Sequence, residues 1–359
     1  MKIILATGIY PPEIGGPATY VEKLARRLVE RGMRVVIVAY GEQEDVLLPI
    51  PIIRVSRRGG MIARWLRYAK ALRKHGADAD IVYAFSSISC GVPLWIAHLK
   101  HPRTVLRLGG DFLWERYTDG GGLLSLSDWH ATKPWLQGPM NGLLKTFDHI
   151  VFSSAFQEQL YEKVYHTLPF HHVVENAIPD GVPVLHEKHD PFKLLFLGRF
   201  VGFKNLGSLI VALHELSAVT LTIVGEGPLE KQLKALVVSE KLSDRITFLP
   251  SLAGDDKQEI FLQHDLLVLP SFTEISPNTA LEARSLGLPV LLTQETGLSR
   301  TLADAAQVRT LRSPQDIVNA VRDIEQSYPL IAERSASALP ARSWDTVADE
   351  HIALFRSLV

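Results

Sequence analysis

Two cations and two carboxylates in the second half of the chain are spaced for chemistry. In Gly198-Arg199-Phe-Val-Gly-Phe-Lys204-Asn205, Arg199 and Lys204 stand five residues apart, after an apolar run at 194–197 and before a helical pattern that begins at Leu206. A guanidinium grips phosphate oxygens in a fork and an ammonium adds a point charge, so the pair suits a diphosphate. Glu274 and Glu282 follow, flanking Ile275-Ser276-Pro277-Asn278-Thr279. Ser276 and Pro277 predict a helix start, an N-cap hydroxyl followed by a proline that needs no N–H there. The free N–H groups and positive dipole end of such a helix form an anion site. Carboxylates beside an anion site are odd company for an anion alone. They suit a ligand with both hydroxyls and phosphate, that is, a nucleotide sugar. Each group also has a plain reading as a surface cation, a helix N-terminal carboxylate or a solvated helix face.

The elements that must hold these groups are legible around them. Residues 266–269 form a short apolar run ended by Pro270, the mark of a buried parallel strand. Gly287 and Pro289 stop the helix, and 289–293 begins the next strand. In such a strand, loop, helix, strand unit, ligands sit outside the carboxyl end of the sheet.

A glutamate, seven intervening residues, a second glutamate, then Ala283 and Gly287-Leu-Pro-Val290 resembles the donor-site signature of the family 4 retaining glycosyltransferases. Gly198-Arg199, four residues and Lys204 resembles the same family's Gly-Arg…Lys element. The resemblance implies a GT-B fold: two Rossmann-like, doubly wound α/β domains facing a central cleft, with a last helix crossing back onto the first. It implies that Arg199 and Lys204 hold the donor's diphosphate and Glu274 the sugar hydroxyls. Glu282 would hold the ribose, Pro250 and Ser251 would border the base, and Ile275 to Thr279 would complete the site. Gly15 and Gly16 would let the backbone approach the donor, or simply serve a turn that needs flexible φ.

Length, charge and composition fit this frame. At 359 residues the chain is long for one core, so two domains are expected. A net charge of -1 gives no global pull toward nucleic acid or acidic membranes, so such a partner needs a local patch. The single cysteine, Cys90, rules out an internal disulfide framework, suits a reducing compartment, and has no basic neighbour to activate it. The N-terminal apolar run is too short for a signal peptide, and no run is long enough to span a bilayer. A cytoplasmic protein is expected, and peripheral membrane contact is one of two readings of a single segment.

That segment holds Arg54, Arg57, Arg58, Arg64, Arg67, Lys70, Arg73 and Lys74 and no acid between them. Ile62, Trp65, Leu66, Ala69 and Leu72 fall at helical spacing. This is the pattern of a helix lying on an anionic membrane, and equally of one packed on a sheet with a basic outer side.

Along the first half, strands are expected at 3–6, 34–39, 52–55, 81–85, 104–108, 150–152 and 173–175, with helices at 17–30, from 61, and at 91–99. Asp111 follows a strand end. It has two readings, orienting or deprotonating an acceptor hydroxyl, or capping the next turn. The family's His of this region has no counterpart, because Gly110 stands before Asp111. Residues 117–138 lose periodicity and hold Gly120-Gly121-Gly122, Trp129 and Trp135, which predicts an acceptor-facing loop. Residues 176–191 read as an exposed linker, so the spacing of His186 and His189 is not taken as a metal site. Gly225-Glu-Gly227 opens like a dinucleotide fingerprint, but Glu230 holds the third glycine position.

The expected domains are 1–185, acceptor side; 186–340, donor side; and a terminal helix at 341–359. The expected function is a hexosyltransferase moving a sugar with retention from a nucleoside-diphosphate sugar to an acceptor hydroxyl. The acceptor is expected to be lipid-linked or a saccharide, as in envelope or exopolysaccharide synthesis, and no metal or cofactor is expected. Two other readings stay open: a sugar-nucleotide epimerase on the same fold, and a noncatalytic, membrane-associated protein that binds a sugar nucleotide.

Overall fold

The computed structural model describes residues 1–13, 15–42, 50–337, 339 and 342–359. Near-continuous apolar runs become parallel strands buried on both faces. The first half supplies β1 (Lys2–Thr7), β2 (Arg34–Tyr40), β3 (Ile52–Val55), β4 (Ile81–Ala84), β5 (Arg103–Leu108), β6 (His149–Phe152) and β7 (Phe170–Val173). The second supplies β8 (Phe192–Leu197), β9 (Val219–Val224), β10 (Ile246–Leu249), β11 (Leu266–Leu269), β12 (Val290–Thr293) and β13 (Gln307–Arg309). Two sheets result, in the orders β3-β2-β1-β4-β5-β6-β7 and β10-β9-β8-β11-β12-β13, with parallel pairing throughout. Each is a doubly wound α/β sheet whose order reverses once, at β1/β4 and at β8/β11.

The chain forms two compact units: 1–113, 132–177 and 342–359 in the first, 114–131 and 178–341 in the second. Two of these assignments differ from the expected boundaries. Residues 114–131 come from the first half but pack in the second unit, and the stretch 178–185 also packs there. The expected boundary at 340/341 lies outside the described residues. The Trp344–Leu358 helix belongs to the first unit, where Val347, Ala348 and Phe355 enter the core beside Tyr20 and Leu24.

Several expected elements are corrected by the packing. Residues 117–138 are not an irregular loop: they contribute to the Phe112–Asp119 helix, the Leu126–Ala131 helix and the start of the Gln137–Leu144 helix. Their apolar residues are too few for a periodic signal, yet Trp114, Leu126 and Trp129 are buried. The last strand of the first sheet lies at Phe170–Val173, because its register is set by pairing with His149–Phe152 rather than by its own pattern. A turn of π-helix at Ser87–Gly91 precedes the Val92–Ala97 helix. The stretch expected as an exposed linker is held down: His186 is buried between the carbonyls of His264 and Leu286, and His189 Nδ1 lies 2.8 Å from Asp265 Oδ1.

The first unit also buries neutral histidines. His351 lies 3.0 Å from the Tyr83 hydroxyl, and its Nδ1 is 2.7 Å from the Val347 carbonyl. Burial, with Arg107 nearby, pushes its pKa down to about 3. Burial likewise pushes the His149 pKa down to about 4. Cys90 is fully buried and its thiol is pushed up to about 11, as befits an inert core residue. Among the described residues, no helix is long and apolar enough to cross a membrane.

Candidate active site

Lys204 and Glu274 meet at the reversal point of the second sheet. β8 and β11 are neighbours, and the loops leaving their carboxyl ends carry Lys204 and Glu274. Lys204 Nζ lies 2.6 Å from Glu274 Oε1, and the buried Ser271 hydroxyl donates to that oxygen at 2.5 Å. Glu274 is itself buried. One carboxylate oxygen is thus shared by two donors, and Oε2 has no partner among the described residues. The ammonium has three protons and uses one here, so the others can reach a ligand oxygen.

Backbone bonds fix this pair. Phe272 N–H donates to the Phe203 carbonyl at 2.8 Å, tying the two loops together. Glu274 N–H donates to the Glu295 carbonyl, and Gly297 N–H to the Glu274 carbonyl at 2.7 Å, a parallel bridge to the loop after β12. Gly225 and Gly227 explain the fingerprint-like motif. A Cβ at Gly225 would lie 2.0 Å from the Gly198 carbonyl oxygen, and one at Gly227 would lie 2.4 Å from that of Phe200. These glycines let the loop after β9 press against the cation loop, with Phe200 N–H donating to the Glu226 carbonyl. Their job is packing, with no nucleotide cradle required.

Arg199 is exposed and forms no ion pair among the described residues, so its guanidinium is available. The helix behind the Glu274 loop is Asn278–Ser285, with Pro277 at the N-cap position. Sequence reading placed the cap one residue earlier, at Ser276. The difference arises because Pro277 adopts an extended ψ of 94° and so precedes the first helical turn. The first turn carries no acid, which keeps the positive end uncompensated. The helix closes as expected at Gly287, in the left-handed region at φ 85°. Leu288 N–H donates to Ala283 O and Gly287 N–H to Arg284 O, the paired bonds of a Schellman motif.

Glu282 lies on this helix, and Lys257 Nζ stands 2.6 Å from its Oε2, a close ion pair lying off the hydrogen-bond direction. Pro250 and Ser251 follow the end of β10, exposed and half-buried respectively. Ile275 and Pro277 are buried, while Ser276, Asn278 and Thr279 are half-buried.

Gly15, Gly16 and Asp111 belong to the first unit. Gly15 precedes the Gly16–Glu30 helix. Asp111 is buried, with Oδ1 accepting from Leu113 N–H at 3.1 Å and Oδ2 from the Tyr161 hydroxyl at 2.8 Å. The Leu113 bond is the geometry of a cap on the turn that follows. Among the described residues no group of three His, Cys, Asp or Glu is placed to hold a metal ion.

Sequence reading missed the strap, residues 114–131, that fastens these loops. Leu126 N–H donates to Thr273 Oγ1 at 2.9 Å, and Ser127 N–H donates to Glu295 Oε1 at 3.0 Å. Two side chains of the site loops therefore cap the Leu126–Ala131 helix. Thr273 Oγ1 also donates to Glu295 Oε1 at 2.8 Å, and Arg312 pairs with Asp128 at 2.8 Å. At the other end Trp114 packs on Phe203, with ring centroids 5.1 Å apart. A Cβ on Gly202 would fall 2.2 Å from the Thr118 carbonyl oxygen. The sequence signals were the cluster of aromatics and Ser125-x-x-Asp128, where Ser125 Oγ accepts from Asp128 N–H at 3.3 Å, and neither gave the distant partners.

Two family profiles match the chain almost end to end. Residues 14–182 match "Glycosyltransferase Family 4", and residues 182–338 match "Glycosyl transferases group 1". A glycogen synthase of Mycobacterium tuberculosis is 24% identical over 97% of this chain and 92% of its own. A D-inositol 3-phosphate glycosyltransferase of Pseudarthrobacter chlorophenolicus is 36% identical over 31% of this chain, a match spanning 28% of that relative. Among solved structures, sucrose-phosphate synthase of Thermosynechococcus elongatus superposes with a TM-score of 0.83 at 18% identity, over 100% of this chain and 99% of that one. HepE of Anabaena, solved with UDP and glucose, does so with a TM-score of 0.73 at 17% identity, over 99% and 100%. Two doubly wound sheets, a whole-chain likeness to these structures and profiles that meet at residue 182 lead to one assignment: the chain is a glycosyltransferase of the GT-B fold, family 4 in its first half and group 1 in its second.

Proposed function

We propose that the protein transfers a hexose, with retention of anomeric configuration, from a nucleoside-diphosphate sugar to a hydroxyl of a saccharide or lipid-linked acceptor. The observation that carries this is the Lys204–Glu274 pair at the β8/β11 reversal, where such sheets bind ligands. Arg199, Lys204 and the start of the Asn278–Ser285 helix would stabilise charge on the departing diphosphate. Each such donor contributes on the order of a few kcal/mol in a desolvated site. Glu274 Oε2 would accept from donor-sugar hydroxyls while Lys204 holds the carboxylate in place. Glu282, steadied by Lys257, would accept from the ribose, and Pro250 and Ser251 would border the base.

Support for a nucleotide sugar comes also from HepE, solved with UDP and with UDP-glucose. The second unit is taken as the donor side and the first as the acceptor side, with Gly15 and Gly16 approaching the donor. The protein is placed in the cytoplasm, peripheral to the membrane, with no metal or cofactor in the reaction.

A panel of nucleotide sugars, screened by native mass spectrometry, should yield one bound donor. Nucleoside diphosphate should then appear only when acceptor is supplied, and NMR of the product should show the donor's anomeric configuration. Glu282→Ala should raise the donor's KM roughly tenfold with kcat little changed, as loss of one ribose contact predicts. Inversion in the product, or turnover of the donor without acceptor, would refute the assignment.

A further inference from the structure

The first unit has a cavity that the transfer reaction does not use. It measures about 370 Å³ and lies between the Val92–Ala97 and Gln137–Leu144 helices, walled by Val92, Trp95, Pro139, Met140, Gly142 and Leu143. Thr146 brings its only hydroxyl, and that hydroxyl donates to the Leu143 carbonyl at 2.7 Å. Such walls offer a ligand dispersion and burial and almost no hydrogen bonds.

A second cavity of about 390 Å³ adjoins it, sharing Trp95 and Thr146, and its character is opposite. Lys100, His101 and Arg103 line it, with Asp148 the one acid. Arg103 pairs with Asp148 at 3.2 Å, whereas Lys100 is exposed and has no partner among the described residues. An apolar slot opening into a cationic one matches an amphiphile with an anionic end.

The surroundings are apolar and exposed. Trp95 is 57% exposed and Trp135, next to the cavity residue Leu136, is 80% exposed. On the neighbouring Met61–Gly76 helix, Ile62 and Leu66 are 68% and 55% exposed. They share a stripe with Arg73, four and seven residues apart, and Arg73 donates to the Ile96 and Ala97 carbonyls. That stripe therefore faces the helix that carries Trp95. Exposed aromatics and aliphatics mixed with lysine and arginine are what a bilayer surface receives.

The cationic end also says which amphiphile. Arg103 opens β5, so Lys100 and Arg103 stand at the amino edge of the sheet. Reacting ligands of such sheets sit at the carboxyl edge. A charged head over Lys100 points away from the chemistry, which fits a lipid of the membrane and not a sugar acceptor. We propose that the groove between the Val92–Ala97 and Gln137–Leu144 helices takes one acyl chain of an anionic bilayer phospholipid, its phosphate set over Lys100 and Arg103.

Gly142 makes the test clean. A Cβ there meets open space, so Gly142→Leu fills the slot while favouring the helix. Gly138→Leu, on the same helix but outside the slot, is its control. The full chain is sedimented with phosphatidylcholine vesicles with and without phosphatidylglycerol, and titrated calorimetrically with octyl and decyl phosphate and with inorganic phosphate. Binding is expected only to the vesicles with phosphatidylglycerol. Decyl phosphate should bind more tightly than octyl, about fourfold for each methylene, and inorganic phosphate should not bind. Gly142→Leu should weaken both kinds of binding roughly tenfold or more, Lys100→Gln about fivefold, and Gly138→Leu should not. Vesicle binding untouched by Gly142→Leu would reduce the effect to surface charge and overturn the proposal. Decyl phosphate competing with a sugar acceptor, in the absence of vesicle binding, would overturn it too by making the groove an acceptor site.

Discussion

The two sheets reverse their strand order in the same way and then treat the reversal point differently. At β8/β11 the loops bring a lysine and a buried glutamate within 2.6 Å of each other, and the lysine's loop also carries the exposed Arg199. At β1/β4 the corresponding loops are filled by their own side chains. The Tyr68 hydroxyl sits between the Val38 and Thr7 carbonyls, 2.6 and 3.0 Å away, Tyr40 donates to the Ser89 carbonyl at 3.1 Å, and Arg57 pairs with Glu13 and donates to the Gly8 carbonyl. One backbone plan thus yields a charged, ligand-ready point and a self-satisfied one. The architecture supplies the place, and the loop residues decide whether it does chemistry.

Removing the charge should expose this difference most. Lys204→Ala takes away the proposed diphosphate contact and leaves Glu274 as a buried carboxylate without its ammonium. We expect kcat to fall about 10²–10³-fold, the scale seen when one preorganised donor is lost. A lowered Tm should accompany it, because an unpaired buried charge is costly. Arg57→Ala breaks the pair at the other reversal point, where both side chains are about one-third exposed. It should cost at most about 1 kcal/mol and leave turnover within a few-fold. Steady-state kinetics and thermal melts of both variants check this, and equal losses of kcat would erase the distinction.

A smaller effect should follow from crowding each loop. Gly202→Ala drives a methyl against the Thr118 backbone, which cannot rotate away, so the strap must shift. Overpacking of this kind costs about 1–3 kcal/mol, and we expect roughly a tenfold loss of kcat/KM through misplaced Lys204. Glu295→Gln, which weakens the cap on Ser127, should act in the same direction by about 1 kcal/mol. Gly8→Ala meets only the Ser89 hydroxyl, at 3.0 Å, and a side chain can turn. Its melt and its kinetics should stay near those of the parent. If Gly202→Ala were equally silent, the strap would not be positioning the cation loop.

The sequence made the site legible where chemistry and punctuation coincide. Lys204, Glu274 and Gly287 sit beside strand ends and helix stops, and local rules reach them. Asp111 had the right neighbourhood for a role with acceptor, but its Tyr161 partner is fifty residues away and no local pattern announces it. The strap was opaque for the same reason. Its second helix has a local cap, Ser125 Oγ accepting from Asp128 N–H at 3.3 Å, but its first two N–H groups are held by Thr273 and Glu295, from loops about 150 residues distant, and no pattern within 114–131 announces those partners. His186 looked exposed because its stretch is polar, yet two carbonyls from elsewhere in the second unit enclose it. Local signals found the elements, and long-range hydrogen bonds decided the rest.

The smallest effect expected at neutral pH concerns the first unit alone. His351 is fully buried with its pKa pushed down to about 3, against 6.5 for a free side chain. Arg107 and Arg342 oppose its protonation, and Tyr83, Tyr20 and Phe355 surround the ring. Above pH 6.5 neither folded nor unfolded chain protonates it, so it adds no pH dependence. Between pH 6.5 and about 3 the unfolded chain binds a proton that the folded chain refuses, so stability falls as pH falls. One such group contributes a slope of about 1.4 kcal/mol per pH unit at most. His351→Gln keeps a polar partner for the Tyr83 hydroxyl and removes the titration. It should leave turnover unchanged and flatten the acid limb of a urea-melt series between pH 6 and about 4. The His149 share, from a pKa near 4, should remain. An unchanged acid limb would mean that protonated His351 is tolerated in the folded unit, and that the closed character of this half does not extend to its core.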